Sequence, residues 1–181
     1  GASTGGFTDC MLQNGAAKVY SIDVGYGQLA WKLRQDDRVV VMENTNFRYS
    51  KKDDFTSGQP DFATIDVSFI SLHLILPNLH SIIKEGGSVV ALIKPQFEAG
   101  REKVGKHGIV HDPKTHLEVV QDIMAFSASV GYDVCELDFS PITGGQGNIE
   151  FLKSVDGEGK IMPEVDAAAV VKQAHAVLEH K

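Results

Sequence analysis

The sequence predicts an α/β domain of the doubly wound, Rossmann-like kind, with a mostly parallel central sheet and helices on both faces. Three observations predict it. Short β-rich apolar runs alternate with stretches of helical periodicity along the chain, the pattern of parallel strands joined by crossover helices. A run of small residues, Gly1-Ala2-Ser3-Thr4-Gly5-Gly6-Phe7, stands just before the first helical stretch. Acidic residues then close two of the strand-like runs, Asp23 and Asp66.

The expected strands are Ala17 to Asp23, Arg38 to Met42, Phe62 to Asp66, Ser88 to Lys94, Tyr132 to Phe139 and Asn148 to Val155. Most are apolar on consecutive positions, as strands covered on both faces should be. The expected helices are Thr8 to Asn14, Gln28 to Gln35, Ser71 to Ile83, Pro113 to Val130 and Pro163 to Glu179. In the third, Leu72, Ile75, Leu76, Leu79 and Ile83 share a face; in the last, Ala167, Val170, Val171, Ala174, Val177 and Leu178 do. Both stripes are expected to face the sheet. The longest non-periodic stretch, Pro95 to Asp112, holds Gly100, Gly105 and Gly108 among Arg101, Lys103, Lys106, His107 and His111. A long glycine-hinged loop in a small domain is usually functional or mobile.

Composition sets the bounds. A chain of 181 residues, 43% apolar and 23% charged, is expected to form one globular domain over residues 1–181. The apolar stretches are broken by His73, Pro77 and Lys94, so no membrane span is expected. Cys10 and Cys135 have no metal-like spacing, which predicts neither a zinc site nor a disulfide framework and suits the cytoplasm. The net charge of −7 argues against holding nucleic acid by overall charge. The loop from Pro95 to Asp112 is nevertheless locally basic.

The small residues of Gly1 to Phe7 let backbone approach a bound nucleoside closely, and Asp23, in Ser21-Ile22-Asp23-Val24-Gly25, can accept hydrogen bonds from ribose hydroxyls. A dinucleotide site wants glycine at the third position of such a loop, where Ser3 stands, so a nicotinamide cofactor is disfavoured without being excluded. Asp66 and Lys94 end apolar strands, and ligands in open α/β sheets bind at those carboxyl ends. Glu150 begins another, in Asn148-Ile149-Glu150-Phe151-Leu152. A lysine beside carboxylates in a cleft is a candidate acid or base, although any one of the three could equally be part of a structural ion pair.

The runs Gly1 to Phe7, Ala63 to Leu72, Ile93-Lys94-Pro95-Gln96-Phe97-Glu98, Gly108-Ile109-Val110, and Ser140-Pro141-Ile142 through Gly147-Asn148-Ile149-Glu150-Phe151-Leu152 closely resemble the TlyA or haemolysin A family. That family lies within the FtsJ-like class of ribose 2′-O-methyltransferases, and the resemblance covers nearly the whole chain in order. It implies a Rossmann-like S-adenosylmethionine-dependent methyltransferase fold, with S-adenosyl-L-methionine over Gly1, Ala2, Ser3, Thr4, Gly5, Gly6 and Phe7, and further cofactor contacts from Asp23, Val24, Gly25, Glu43 and Asp66. It also implies a Lys-Asp-Lys-Glu tetrad whose last three members are Asp66, Lys94 and Glu150, rRNA or a ribosomal subunit as substrate, and no metal.

The first lysine, the central first strand and a small RNA-binding domain are expected before Gly1, which makes the chain an N-terminally truncated catalytic domain. A fragment beginning at Gly1 is then expected to be unstable and inactive. Asn44, within Glu43-Asn44-Thr45-Asn46, stands where arginine is expected in most relatives. The family name speaks of cell lysis, but no cationic amphipathic helix or spanning segment is present to carry it.

Lys94 is the expected base, since a ribose hydroxyl is a poor nucleophile until its proton is removed. A lysine serves only where desolvation or a neighbouring cation eases loss of its proton. Two other readings stay open. A base-nitrogen methyltransferase would commonly show Pro-Pro-aromatic after the acidic residue, whereas Asp66 is followed by Val67, Ser68 and Phe69. A cofactor-binding module for RNA or ribosome contact, without activity, is the non-enzymatic one.

Overall fold

The computed structural model describes residues 1–145, 148–155 and 157–178. Gly147 of the Gly-Asn-Ile-Glu run, and Glu179 at the end of the last expected helix, lie outside the described residues. The chain divides into two compact units, Gly1–Pro60 and Asp61–Lys181.

In the first unit, α1 (Gly6–Gln13) is followed by β1 (Val19–Ile22), a single-turn α2 (Trp31–Arg34) and β2 (Val39–Met42). β1 and β2 pair in parallel, with Val19 opposite Val39 and Ile22 opposite Met42. Leu12 of α1, Val19 of β1 and Leu29 and Leu33 around α2 form the buried core. Gln28 and Leu29, expected within the helix, lie before it, because Ala30 adopts a non-helical conformation at the N-cap.

The second unit carries β3 (Phe62–Ile65), α3 (Leu76–Ile82), β4 (Ser88–Ile93), α4 (Pro95–Glu98), α5 (Pro113–Ser129), β5 (Val134–Phe139), β6 (Phe151–Val155) and α6 (Ala167–Leu178). The sheet order is β3-β4-β6-β5. β3 and β4 are parallel, and β6 runs antiparallel between β4 and β5. The last strand thus turns back into the sheet instead of adding to its edge. β4 alternates buried and half-buried positions, with Val89, Ala91 and Ile93 fully enclosed.

Several expected elements are shorter than their periodicity suggests, three of them with a clear local cause. The stretch Ser71 to Ile83 breaks into a 3-10 turn at Leu72–Leu74 and α3. Pro77, which has no N–H to donate to the preceding turn, is tolerated only at the start of a helix. The stripe from Leu72 to Ile83 is nevertheless buried as expected. The last helix starts at Ala167, and Val177 is exposed while His175 is buried, because the inward face runs through Ala167, Val171, Ala174, His175 and Leu178. The strand expected from Asn148 begins at Phe151, since Asn148 is engaged in loop hydrogen bonds.

The stretch Pro95 to Asp112 is more ordered than an irregular loop. It holds α4 and two 3-10 turns, Arg101–Lys103 and Lys106–Gly108, and is pinned where Val110 is buried.

Candidate functional site

In the first unit a cleft opens at the carboxyl ends of β1 and β2, lined by Ala2, Ser3, Ser21, Asp23, Gly25, Gln28, Leu29, Val41 and Glu43. The turn above β1 is built on the carboxylate of Asp23. Its Oδ2 accepts the Ser3 N–H at 2.7 Å and its Oδ1 the Gly25 N–H at 2.8 Å. Burial acts to raise the pKa of this carboxyl, but the N–H donors at Gly25, Ser3 and Val24, together with the positive charge at Gly1, outweigh it and hold Asp23 below its ordinary range. Each oxygen keeps a further lone pair, so an anionic acceptor stands ready for hydroxyls.

Of the seven residues of the small-residue run, Ala2 and Ser3 line this cleft, whereas Gly1, Thr4, Gly5, Gly6 and Phe7 do not. Gly5 is buried with φ of 104°, and a Cβ there would run into Leu33 and Leu29. It therefore shapes the loop from beneath. Val24 is exposed and outside the lining.

Glu43 follows β2 and pairs through Oε1 with Arg34 of α2, while the Gly27 N–H donates to the same oxygen at 3.1 Å. Sequence reasoning missed Arg34, Gln28 and Ser21. Arg34 was concealed because a lone arginine in a short helix reads as solvated surface. Asn44 has φ of 50°, a left-handed conformation that asparagine tolerates better than most residues.

In the second unit, Asp66 directly follows β3 and Lys94 directly follows β4, its parallel neighbour. Lys94 Nζ lies 2.6 Å from Asp66 Oδ1 and 3.4 Å from Ser68 Oγ, with the lysine side chain only 11% exposed. Glu150 is buried and accepts a hydrogen bond from Gln96 Nε2 at 3.1 Å. The antiparallel register pairs Ile93 with Phe151. Lys94 and Glu150 each lie one residue beyond that last ladder pair. Asp66, Lys94 and Glu150 thus come from three adjoining strand ends. Gln96, Ser68 and Glu98 escaped the sequence reading.

Glu98 binds this region together, accepting from Ser71 Oγ at 2.6 Å and from the Leu72 N–H at 2.8 Å. Its burial pushes the carboxyl pKa up against the effect of those two donors. Phe69, between Asp66 and Ser71, has φ of 62° and is 91% exposed, and its ring centroid lies 4.9 Å from that of Phe97. A bulky aromatic held exposed on a left-handed backbone is unfavourable in isolation.

A carboxylate at the end of one strand beneath a small-residue loop, and a lysine–carboxylate pair at the ends of others, define the class: a Rossmann-like methyltransferase domain. The FtsJ-like methyltransferase model matches residues 1–156. The chain belongs to that family, whose cofactor is S-adenosylmethionine.

It is 61% identical over 186 residues to the Bacillus subtilis protein YqxC, covering 100% of this chain and 66% of that one. It is 44% identical over 151 residues to the 16S/23S rRNA (cytidine-2′-O)-methyltransferase TlyA of Mycobacterium tuberculosis, covering 83% of this chain and 56% of TlyA. A solved structure of a Streptococcus thermophilus protein named as a hemolysin superposes with a TM-score of 0.96 at 56% identity, over 99% of this chain and 66% of that one. The chain thus spans about three fifths of the length of the curated relatives.

The lining of the cleft in the first unit is compatible in chemistry with a nucleoside, with the carboxylates of Asp23 and Glu43 beside the apolar side chains of Leu29 and Val41. Among the described residues no helix is long and apolar enough to cross a membrane.

Proposed function

We propose that this chain is the catalytic part of an RNA methyltransferase acting on a ribose 2′-hydroxyl of rRNA. The observation that carries the proposal is the Lys94–Asp66 pair at the ends of neighbouring strands, its lysine largely buried, with Glu150 just before the strand that pairs with β4. The TlyA relative, by its name, acts on 16S and 23S rRNA at cytidine 2′-oxygens.

Asp66 holds Nζ of Lys94 through one carboxylate oxygen, and the Ser68 hydroxyl gives it a second, longer contact. In its neutral form Lys94 has one lone pair, to which the proton of the ribose hydroxyl passes as the oxygen becomes nucleophilic. Bound S-adenosylmethionine supplies a methyl group on a sulfonium leaving group. Asp23, Glu43 and the backbone at Ala2 and Ser3 would hold its nucleoside. Glu150, fixed by Gln96, adds negative charge near the ammonium that Lys94 becomes.

Phe69 and Phe97 support RNA over a small-molecule acceptor. Sequence-selective RNA enzymes commonly splay a base out and stack it on an aromatic side chain. An exposed phenylalanine three residues from Asp66 offers that surface. The substrate also implies the cytoplasm as the site of action. The resemblance and the greater length of the relatives support a further part of the protein that contributes the central strand, the first lysine and an RNA-binding domain.

Mass spectrometry of rRNA nucleosides from cells with and without the whole protein tests the function. A 2′-O-methylnucleoside should disappear in its absence. Loss of a base-methylated nucleoside instead, or an unchanged profile, overturns the proposal.

A further inference from the structure

We infer that Asn148 is a positioning residue for Glu150, latching the segment that carries this carboxylate onto the glycine-hinged basic loop. The inference rests on Glu150 belonging to the reacting site.

Asn148 is 4% exposed and engages its whole amide. Oδ1 accepts the Val110 N–H at 3.1 Å, and Nδ2 donates to the carbonyls of Gly108 at 3.1 Å and Gly145 at 3.2 Å. A flipped amide would set donors against the Val110 N–H and an acceptor against two carbonyls, so the partners fix its orientation. Backbone bonds close the same segment: Gly144 N–H donates to the Asn148 carbonyl at 2.6 Å, and Ser140 N–H to the Glu150 carbonyl at 2.8 Å. Val110 is also held from α5, where His116 Nε2 bonds its carbonyl at 2.8 Å. The latch is therefore anchored on a buried peptide that cannot easily yield.

Glu150 depends on this arrangement because it lies one residue outside β6, beyond the last ladder pair of Ile93 and Phe151. Its carboxylate is placed by what packs around it. One wall is Gly144, approached so closely that a Cβ would collide with the carboxylate oxygens. Gly144 in turn is bonded to Asn148. Movement of the latch moves that wall, and with it the carboxylate that Gln96 meets from α4.

Asn148→Asp and Asn148→Ala in the full chain test the inference. An aspartate keeps the acceptor for Val110 but, when ionised, turns charge on the carbonyls of Gly108 and Gly145; protonation restores one donor. At neutral pH the single-turnover methyl-transfer rate of N148D on rRNA should be about tenfold below wild type, as an unpaired buried group implies. The ratio to wild type should recover as pH falls, with S-adenosylhomocysteine affinity within about twofold, since a positioning role acts on the transferring state alone.

N148A, run through the same pH series, should stay low throughout and serves as the control for pH effects that do not arise at position 148. A second readout needs no activity. The side-chain amide resonance of Gln96 reports the carboxylate it donates to, and in N148D it should shift with the midpoint of the rate recovery. A pH-independent N148D ratio, or a Gln96 resonance unmoved in both variants, overturns the inference. If wild type itself transfers no methyl group to RNA, the proposed function fails while the Gln96 signal still decides the latch. N148D decides alone if N148A does not fold.

Discussion

Lys94 Nζ sits 2.6 Å from Asp66 Oδ1, joining the ends of two parallel strands. A carboxylate there can orient an ammonium or amine without itself meeting a substrate. Lys94→Met should lower the single-turnover rate by about a hundredfold or more, the range for loss of a positioned general base. Cofactor affinity should hold, because Lys94 is outside the residues lining the cleft of the first unit. Retained transfer, measured with labelled cofactor, would return Lys94 to a structural role.

Asp23 accepts backbone N–H groups on both oxygens. Asparagine has only one acceptor oxygen, so Asp23→Asn turns an NH₂ group toward an N–H donor. S-adenosylhomocysteine binding by calorimetry should weaken about tenfold or more, the scale of one unmatched charge-assisted bond. The pKa of Asp23 is lowered in the fold. Its contribution to stability is therefore complete above the ordinary carboxylate pKa and lost as pH falls through the lowered value. Acid unfolding of Asp23→Asn should lack that component.

Phe69 combines a left-handed backbone with near-complete exposure. Phe69→Gly should raise thermal stability, by about 1 kcal/mol from relief of the positive φ, and lower RNA methylation. Equal activity in the glycine variant would show that the ring has no part in binding RNA.

Gly5 has φ of 104° and faces Leu29 and Leu33, both in the buried core of its unit. Gly5→Ala adds strain and overpacking together and should cost about 2–3 kcal/mol in denaturant unfolding. A neutral substitution would mean that the two leucines give way freely.

Tyr132 is buried and donates its hydroxyl to the Leu76 carbonyl at 2.6 Å. Tyr132→Phe leaves that helical carbonyl without this donor and should destabilise by about 1–3 kcal/mol. Methyl transfer per folded molecule should be unchanged, which separates this support of α3 from the site.

Much of the site was legible because its markers are local. A small-residue run before a helix, an acid closing a β-rich run and a lysine closing an apolar one are readable within a few residues. Asp23 and the Asp66–Lys94 pair came from such patterns, and strand-end geometry supplies their setting. Glu150 was marked only as a polar residue at the start of an apolar run, and its place in a tetrad came from family resemblance, since such a glutamate has no distinctive local pattern. Arg34 on Glu43 and Gln96 on Glu150 were invisible for the same reason: either partner alone looks like ordinary surface polarity.

The sequence by itself determined the order of the main strands and helices, the small-residue loop from Gly1 to Phe7, and the polar residues that directly follow β1, β3 and β4, because backbone sterics and burial periodicity act over short stretches. Only the tertiary structure decided that β6 enters antiparallel between β4 and β5. That insertion brings Glu150 to Gln96, 54 positions earlier, and Asn148 to Val110, 38 positions earlier. Strand pairing chooses among many registers by the burial and hydrogen bonding of the whole sheet. No local pattern of residues records which choice prevails.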